Sequence, residues 1–353
     1  MFDGVAEPTK PAVAEAVAAV LDQPVTGVEP LPEGMNAVYR VAVEGDRDRD
    51  RDQDREVVLK AGTAQSGPEL LSGPLLAERL ARETTVPAPE IVASVTADES
   101  PIGVAYVVMG HVEGRHLTDV RELSPPAHER FVREAGTHLA AVHDLDYEGQ
   151  YGRLVAEDGA FSIDYAFDDW ASMYRSVVEW NRERIGERFA DLDPLFETAL
   201  DAFESHVDER AVDQSILYRD YHAKNLVFAP DDAADPLVRA VLDFNYRPVG
   251  DAPLDVAVAE TTLVDTPLDA TDRGHRADDL RETLRSAYVD ARGGVRAEHF
   301  DACYPAYRLL SVLDHLHYFD YFQQFAPPED PGDVADWLRG FVRARVDELT
   351  DAE

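Results

Sequence analysis

A single cysteine, Cys303, stands in a chain of 353 residues. One thiol forms no intrachain disulfide and no cysteine-based zinc site, and its ordinary place is in the core. No apolar run reaches the ~18 residues that span a bilayer, so no membrane segment is expected. The opening residues Met1–Glu7 have no basic stretch ahead of an apolar one. A secretory leader is therefore not expected, and the cytoplasm is the expected location. Lysine is scarcer still than these absences suggest: it occurs only at positions 10, 60 and 224, and every other basic residue is arginine. Acidic residues number 70 against 33 basic ones, a net charge of −37. Such a surface excludes nucleic acid as an expected partner, since phosphate backbones demand basic faces. An acidic excess with almost no lysine reads as adaptation of the whole surface to concentrated salt, rather than as one patch for a cationic substrate. A lysine that survives such a purge then marks its position as special.

Hydrophobic residues make up 45% of the chain, enough for a substantial core. At about 150 residues per domain, the length predicts two domains or one large two-lobed one. Residues 8–22 read as a helix, followed by β-like runs at Val25–Val28, Ala37–Glu44, Glu56–Ala61, Ile91–Val95 and Val104–Met109. Leu70, Leu71, Leu75, Leu76 and Leu80 have helical spacing within Pro68–Arg82. Residues 1–110 are thus expected to form a small, mostly β, nucleotide-binding lobe, with 111–116 as a hinge. Residues 117–353 read as a larger helical lobe. Its expected helices are Pro126–His143, Ile163–Ile185, Pro194–Val207, Pro253–Leu263, Asp278–Ala291, Ala297–Phe325 and Val334–Leu349. Short β-like runs at Ile216–Tyr218, Asn225–Phe228 and Val238–Phe244 interrupt them. The segment Asp46–Glu56 alternates Asp and Arg and reads as a solvated hairpin loop. The fold class that results is α+β.

The chemistry concentrates in Asp220-Tyr221-His222-Ala223-Lys224-Asn225, followed eighteen residues later by Asp243. The first Asp is suited to orient an attacking hydroxyl and accept its proton. The Asn and the second Asp are suited to hold the Mg²⁺ that neutralises a nucleotide triphosphate. Alone, an Asp and an Asn five residues apart recur by chance and also serve as turn residues. Here they lie between apolar β-like runs, and Asp243 closes a third.

An upstream nucleotide lobe strengthens the reading. Val57-Val58-Leu59-Lys60 has the form of the strand lysine that pairs with the α- and β-phosphates of ATP. A compact ammonium suits that contact better than a guanidinium. Gly34 and Asn36, in the turn Gly34-Met35-Asn36-Ala37, are placed to present backbone N–H groups to phosphate oxygens. With one glycine this is no G-x-G-x-x-G loop, and a plain β-turn is the competing reading.

In this order the motifs resemble the aminoglycoside phosphotransferase and choline-kinase-like small-molecule kinases, a branch of the protein-kinase-like fold. The resemblance rests on Gly34–Arg40, Val57–Lys60, Val86-Pro87-Ala88-Pro89, Val107–Gly114, Leu139–His143, Asp220–Asn225, Asp243 and Gly250–Asp255, and it spans roughly residues 15–265. It implies a two-lobed kinase-like fold with ATP and Mg²⁺ as cofactors and a small-molecule acceptor. It makes Asp220 the catalytic base, Asn225 and Asp243 the metal ligands and Lys60 the phosphate-binding lysine. The backbone around Met109 and His111 would hold the adenine, and Asp255 would brace the catalytic loop. A monomer or homodimer fits it.

Two positions depart from the family pattern. Tyr218-Arg219 stands where the family usually has His-Gly, and Gly73-Pro74 stands where a helix glutamate would pair with Lys60. Glu69 and Glu78 are the nearby substitutes. The short gap from Asp243 to Gly250-Asp251 excludes a long peptide-docking segment and favours a small acceptor. The aromatic stretches Asp164–Trp180 and Ala306–Phe325 read first as core, and His315 and His317 are a poor metal pair. A ketosamine, sugar or homoserine-type kinase stays open, as does a nucleotide-binding regulator without turnover.

Overall fold

The computed structural model describes residues 8–31, 36–45, 55–62, 67–208, 211–233, 235–266, 275–293, 297–320 and 330–351. The chain divides into two compact units. Unit 1 holds residues 1–115, 154–164 and 239–247, and unit 2 holds 116–153, 165–238 and 248–353. The fold is α+β, as its patterning predicted.

Unit 1 begins with helix α1, Lys10–Leu21, whose start is capped by the Thr9 side chain. Strands β1 (Val25–Leu31), β2 (Ala37–Val43) and β3 (Arg55–Ala61) follow, then helix α2 (Gly67–Glu83), β4 (Ile91–Val95) and β5 (Tyr106–Gly110). The five strands form one antiparallel sheet in the order β1-β2-β3-β5-β4. Strict alternation decides which side chains turn inward. In β2 and β3 the residues Val41, Val43, Val57, Leu59 and Ala61 are buried, and they pack with Val13, Ala16 and Val17 of α1. Leu70 of α2 packs with Ala105 and Val107 in a second cluster. Odd and even positions of the same strands thus serve two different helices.

Unit 2 is mainly helical. After β5 the chain forms, in order, α3 (Pro125–His143), β6 (Tyr151–Glu157), β7 (Ala160–Phe167), α4 (Trp170–Arg182), α5 (Asp193–His206), β8 (Gln214–Ile216), β9 (Leu226–Phe228), β10 (Val238–Val241), β11 (Pro248–Asp251), α6 (Ala252–Glu260), α7 (His275–Arg292), α8 (Ala297–Leu310), α9 (Leu313–His317) and α10 (Pro331–Asp351), of which most of β6, β7 and β10 falls in unit 1. Helices α3 and α7 approach closely at Gly136, where a Cβ would lie 2.5 Å from the Leu284 carbonyl oxygen. Every residue of α6 is buried, and a π-helical turn, Thr261–Asp265, continues it. The acidic groups there are paired: Glu260 with Arg285 and Arg308, and Asp265 with Arg281 and Arg308. No helix among the described residues is long and apolar enough to cross a membrane.

Three expectations change. The helix expected over Ile163–Ile185 begins only at Trp170, because Asp169 caps it by accepting from Ser172 N at 2.7 Å. Ahead of it, Asp158 and Gly159 turn with φ of 50° and 74°, and the period-2 residues after them form β7. The single helix expected over Ala297–Phe325 is broken after Leu310, and residues 321–325 lie outside the described set. Strands β6 and β11 had no counterpart in the sequence reading. Of the expected hairpin loop, residues 46–54 also lie outside the described set, and Arg55 and Glu56 open β3.

Candidate active site

The residues singled out in the sequence fall into two groups, one in each unit. In unit 1, β3 carries Lys60, whose Nζ lies 2.9 Å from Asp243 Oδ1. The lysine side chain is 12% exposed and the aspartate 36%. The segment carrying Asp243 is tied to this unit by Val241 N, which donates to Pro87 O at 2.7 Å, and by Arg239, which donates to Glu113 O at 3.0 Å. Asp243 has φ of 53°, a left-handed conformation that costs a non-glycine residue energy and needs outside support. The Arg247 guanidinium supplies some of it by donating to the Asp243 carbonyl oxygen.

Met109 is the penultimate residue of β5 and pairs with Val58 of β3. The His111 N–H donates to Glu56 O at 3.3 Å, and its Nδ1 lies 3.1 Å from Glu56 Oε2. Asn36 lies in the bend ahead of β2, whereas Gly34 lies outside the described residues. The glutamate expected to pair with Lys60 is replaced in that pairing by Asp243. Glu78 is exposed on α2. Gly73 has its own occupant: a Cβ there would lie 1.8 Å from Asn245 Oδ1. Sequence reading missed Asn245, although it stands two residues beyond Asp243.

In unit 2 the loop between β8 and β9 carries Asp220 and Asn225. Its backbone is clamped by Asp255 of α6, 1% exposed, which accepts from both Tyr218 N and Arg219 N at 2.6 Å. His143 Nε2 lies 3.1 Å from the same carboxylate, and Tyr288 OH lies 2.9 Å from His143 Nδ1. Arg219 has φ of 60°, a conformation that glycine adopts without steric cost and arginine does not. Here the Asp255 clamp and an ion pair of Arg219 with Asp314, 2.9 Å, hold the arginine in that conformation.

This clamp aims Asp220. Its Oδ2 accepts from Asn225 Nδ2 at 2.8 Å, and its Oδ1 lies 2.9 Å from His222 Nε2. Asn225 Nδ2 also donates to the Asp220 carbonyl oxygen at 3.2 Å. These bonds fix the amide so that Oδ1 projects to its opposite side. The side chain of Asp220 remains 43% exposed. A positioned carboxylate with an open face is equipped to take a proton from a hydroxyl. Asn225 and Asp243 both offer hard oxygen donors, the chemistry Mg²⁺ requires.

Tyr221 anchors the loop from below. Its hydroxyl lies 2.6 Å from His138 Nδ1. Burial raises the Tyr221 phenol well above its ordinary pKa and lowers His138 to about 4, so the neutral tyrosine donates to a neutral imidazole. In the unfolded chain His138 regains its ordinary value of 6.5. Below that pH the unfolded state binds a proton the folded state refuses, and stability is lost as pH falls from about 6.5 to about 4. The shift corresponds to about 3 kcal/mol. The drop in Tm between pH 7 and pH 4 is therefore expected to be smaller in His138→Gln than in the wild type. An equal drop in both would remove His138 as a cause.

A second buried cluster stands apart from these loops. Asp251 accepts from Asp213 N at 2.9 Å and from the Tyr307 hydroxyl at 2.7 Å, and lies 2.7 Å from His299 Nε2. Cys303 Sγ lies 3.7 Å from His299 Nδ1. The imidazole uses opposite nitrogens for the two, so these side chains form a hydrogen-bonded chain rather than a chelate. The carboxylate of Asp251, and secondarily Cys303, raises His299 to about 10. Cys303 is fully buried, as a lone thiol was expected to be.

The profile of the phosphotransferase enzyme family matches residues 40–310. The chain belongs to that family. It is a small-molecule phosphotransferase. No curated protein matches the chain. Among solved structures, a Ralstonia eutropha JMP134 protein assigned as an aminoglycoside phosphotransferase is 18% identical, with a TM-score of 0.63 over 96% of this chain and 98% of that one. A Haemophilus somnus 129PT protein assigned as a fructosamine-3-kinase is 12% identical, with a TM-score of 0.59 over 96% and 98%. A thermostable aminoglycoside phosphotransferase APH(4)-Ia variant, in ternary complex with ADP and hygromycin B, is 16% identical, with a TM-score of 0.59 over 95% and 98%. At these identities the likeness establishes the fold, and this phosphotransferase shares it.

Proposed function

We propose that this phosphotransferase transfers the γ-phosphoryl group of ATP to a hydroxyl of a small molecule, with Mg²⁺. The observation that carries the reading is the Asp220 carboxylate, oriented by His222 and Asn225 on a loop clamped by Asp255. Asp220 is the catalytic base. It accepts the proton of the acceptor hydroxyl as that oxygen bonds to the γ-phosphorus and the bond to the β-phosphate oxygen breaks. Lys60 pairs with the α- and β-phosphates. Backbone N–H groups of Gly34 and Asn36 serve the phosphates, and the backbone around Met109 and His111 receives the adenine. Asn225 and Asp243 each provide an oxygen ligand for Mg²⁺, which when bound neutralises charge on the triphosphate. The chain's own contribution is positioning and electrostatics rather than covalent chemistry.

The acceptor is an aminoglycoside-like compound or a ketosamine, sugar or homoserine-type metabolite. The similarity to both an aminoglycoside phosphotransferase and a fructosamine-3-kinase supports this range. The protein acts in the cytoplasm as a monomer or homodimer, and its acidic, lysine-poor composition calls for assays in molar KCl. An acceptor screen read by ADP release, with and without Mg²⁺, tests the reading. The expected result is acceptor-dependent and Mg²⁺-dependent release. Nucleotide binding indifferent to Mg²⁺, with no turnover on any hydroxyl acceptor, would instead identify a regulator.

A further inference from the structure

We propose that Asn245 is a positioning residue for Asp243, and that Gly73 is the socket in α2 that receives it. The inference rests on Asp243 being a Mg²⁺ ligand. All of the groups involved belong to unit 1.

Asn245 is 4% exposed, and its side chain occupies the space where any residue but glycine at position 73 would place its Cβ. That Cβ would lie 1.8 Å from Asn245 Oδ1, 2.9 Å from its Cγ and 3.2 Å from its backbone nitrogen. An alanine at 73 therefore displaces the side chain and presses on the main chain of the same loop. The Asn245 Nδ2 is buried and has no hydrogen-bond partner among the described residues. An unsatisfied buried donor costs about 1–3 kcal/mol, so shape rather than hydrogen bonding keeps the amide in its socket.

The loop around it needs such a fixed point. Asp243 and Tyr246 both have positive φ, 53° and 60°, on either side of Asn245. Two further contacts hold Asp243: Lys60 on its carboxylate and Arg247 on its carbonyl oxygen. The Asn245–Gly73 fit ties α2 to the loop of the aspartate. Gly73 is thus not simply the loss of a helix glutamate. Its missing side chain makes room for Asn245, which couples the helix to the loop of the proposed metal ligand by a different route.

The test uses Mn²⁺ as the probe, titrated by electron paramagnetic resonance onto the full chain with a non-hydrolysable ATP analogue. Groups that orient metal ligands typically cost ~10–100-fold in metal affinity when altered. Gly73→Ala and Asn245→Ala are each expected to weaken Mn²⁺ binding by about tenfold or more, while affinity for the analogue without metal stays within about twofold. Asn245→Ala removes the anchor without creating a clash, so it decides the matter where Gly73→Ala fails to fold. Wild-type Mn²⁺ affinity in Asn245→Ala overturns the inference. Asp243→Ala separates the two levels. If it abolishes Mn²⁺ binding while Asn245→Ala does not weaken it, only the positioning role is lost. If Asp243→Ala binds Mn²⁺ like the wild type, the assignment of Asp243 falls, and this inference with it.

Discussion

Asp220→Asn is expected to lower kcat by about 10³-fold, within the ~10²–10⁴-fold range that a positioned general base supplies. The substitution keeps the shape of the side chain but removes the proton acceptor. It also places an amide N–H₂ against either His222 or the Asn225 Nδ2 donor, both of which now face a carboxylate oxygen. Binding of ATP should change little, since Asp220 belongs to the acceptor side of the proposed reaction. Steady-state ADP release with an acceptor used by the wild type measures this directly. A variant that keeps a tenth or more of the wild-type kcat would remove Asp220 from its role.

Asp255→Ala is expected to be the most damaging change to unit 2. It removes the acceptor for the buried Tyr218 N, for the half-buried Arg219 N and for the buried His143 ring. Each orphaned buried donor costs ~1–3 kcal/mol, so a loss of about 3 kcal/mol or more is expected. Arg219 also loses the clamp that holds its positive φ, and Asp220 is the next residue. Trp170, Trp180 and Trp337 are the only tryptophans and all lie in unit 2. Urea unfolding followed by tryptophan fluorescence therefore reports on the right part of the molecule. A midpoint equal to that of the wild type would show that the clamp contributes nothing, whereas Asp255→Asn, which keeps one oxygen acceptor, should fall between the two.

Strands β2 and β3 were legible because each turns alternate residues into one core, and the period-2 pattern of Val41, Val43, Val57 and Leu59 records it. The Asp220–Asn225 loop was legible because short apolar strands bracket its polar residues. Asp255 was legible through the resemblance rather than as a helix start: Asp251 is the N-cap of α6, and Asp255 lies inside its first turn. The parts that escaped have partners far apart in sequence. Nothing local to Lys60 announces a carboxylate 183 positions away, and so a nearby helix glutamate was the natural expectation. Asp251 meets Tyr307 across 56 positions and His299 across 48. Asn245 and Gly73 were each visible as residues, but their fit is a matter of Cβ volume that no periodicity encodes. Strand β11, with four residues, is too short for alternation to be told from chance, whereas β6 is as long as β2 but its burial pattern does not alternate strictly.

Unit 1 is not a continuous stretch of chain, and this affects its biosynthesis. A ribosome releases residues 1–115 first, but the segment 239–247 with Asp243 belongs to the same unit and emerges only after about half of unit 2 has been made. At ~5–20 residues per second the delay is roughly ten seconds. Throughout that interval Lys60 has no Asp243 to meet, and Gly73 opens onto a socket with nothing in it. A chain truncated before residue 243 would leave unit 1 permanently in that condition, so an N-terminal fragment is no substitute for the unit in binding studies.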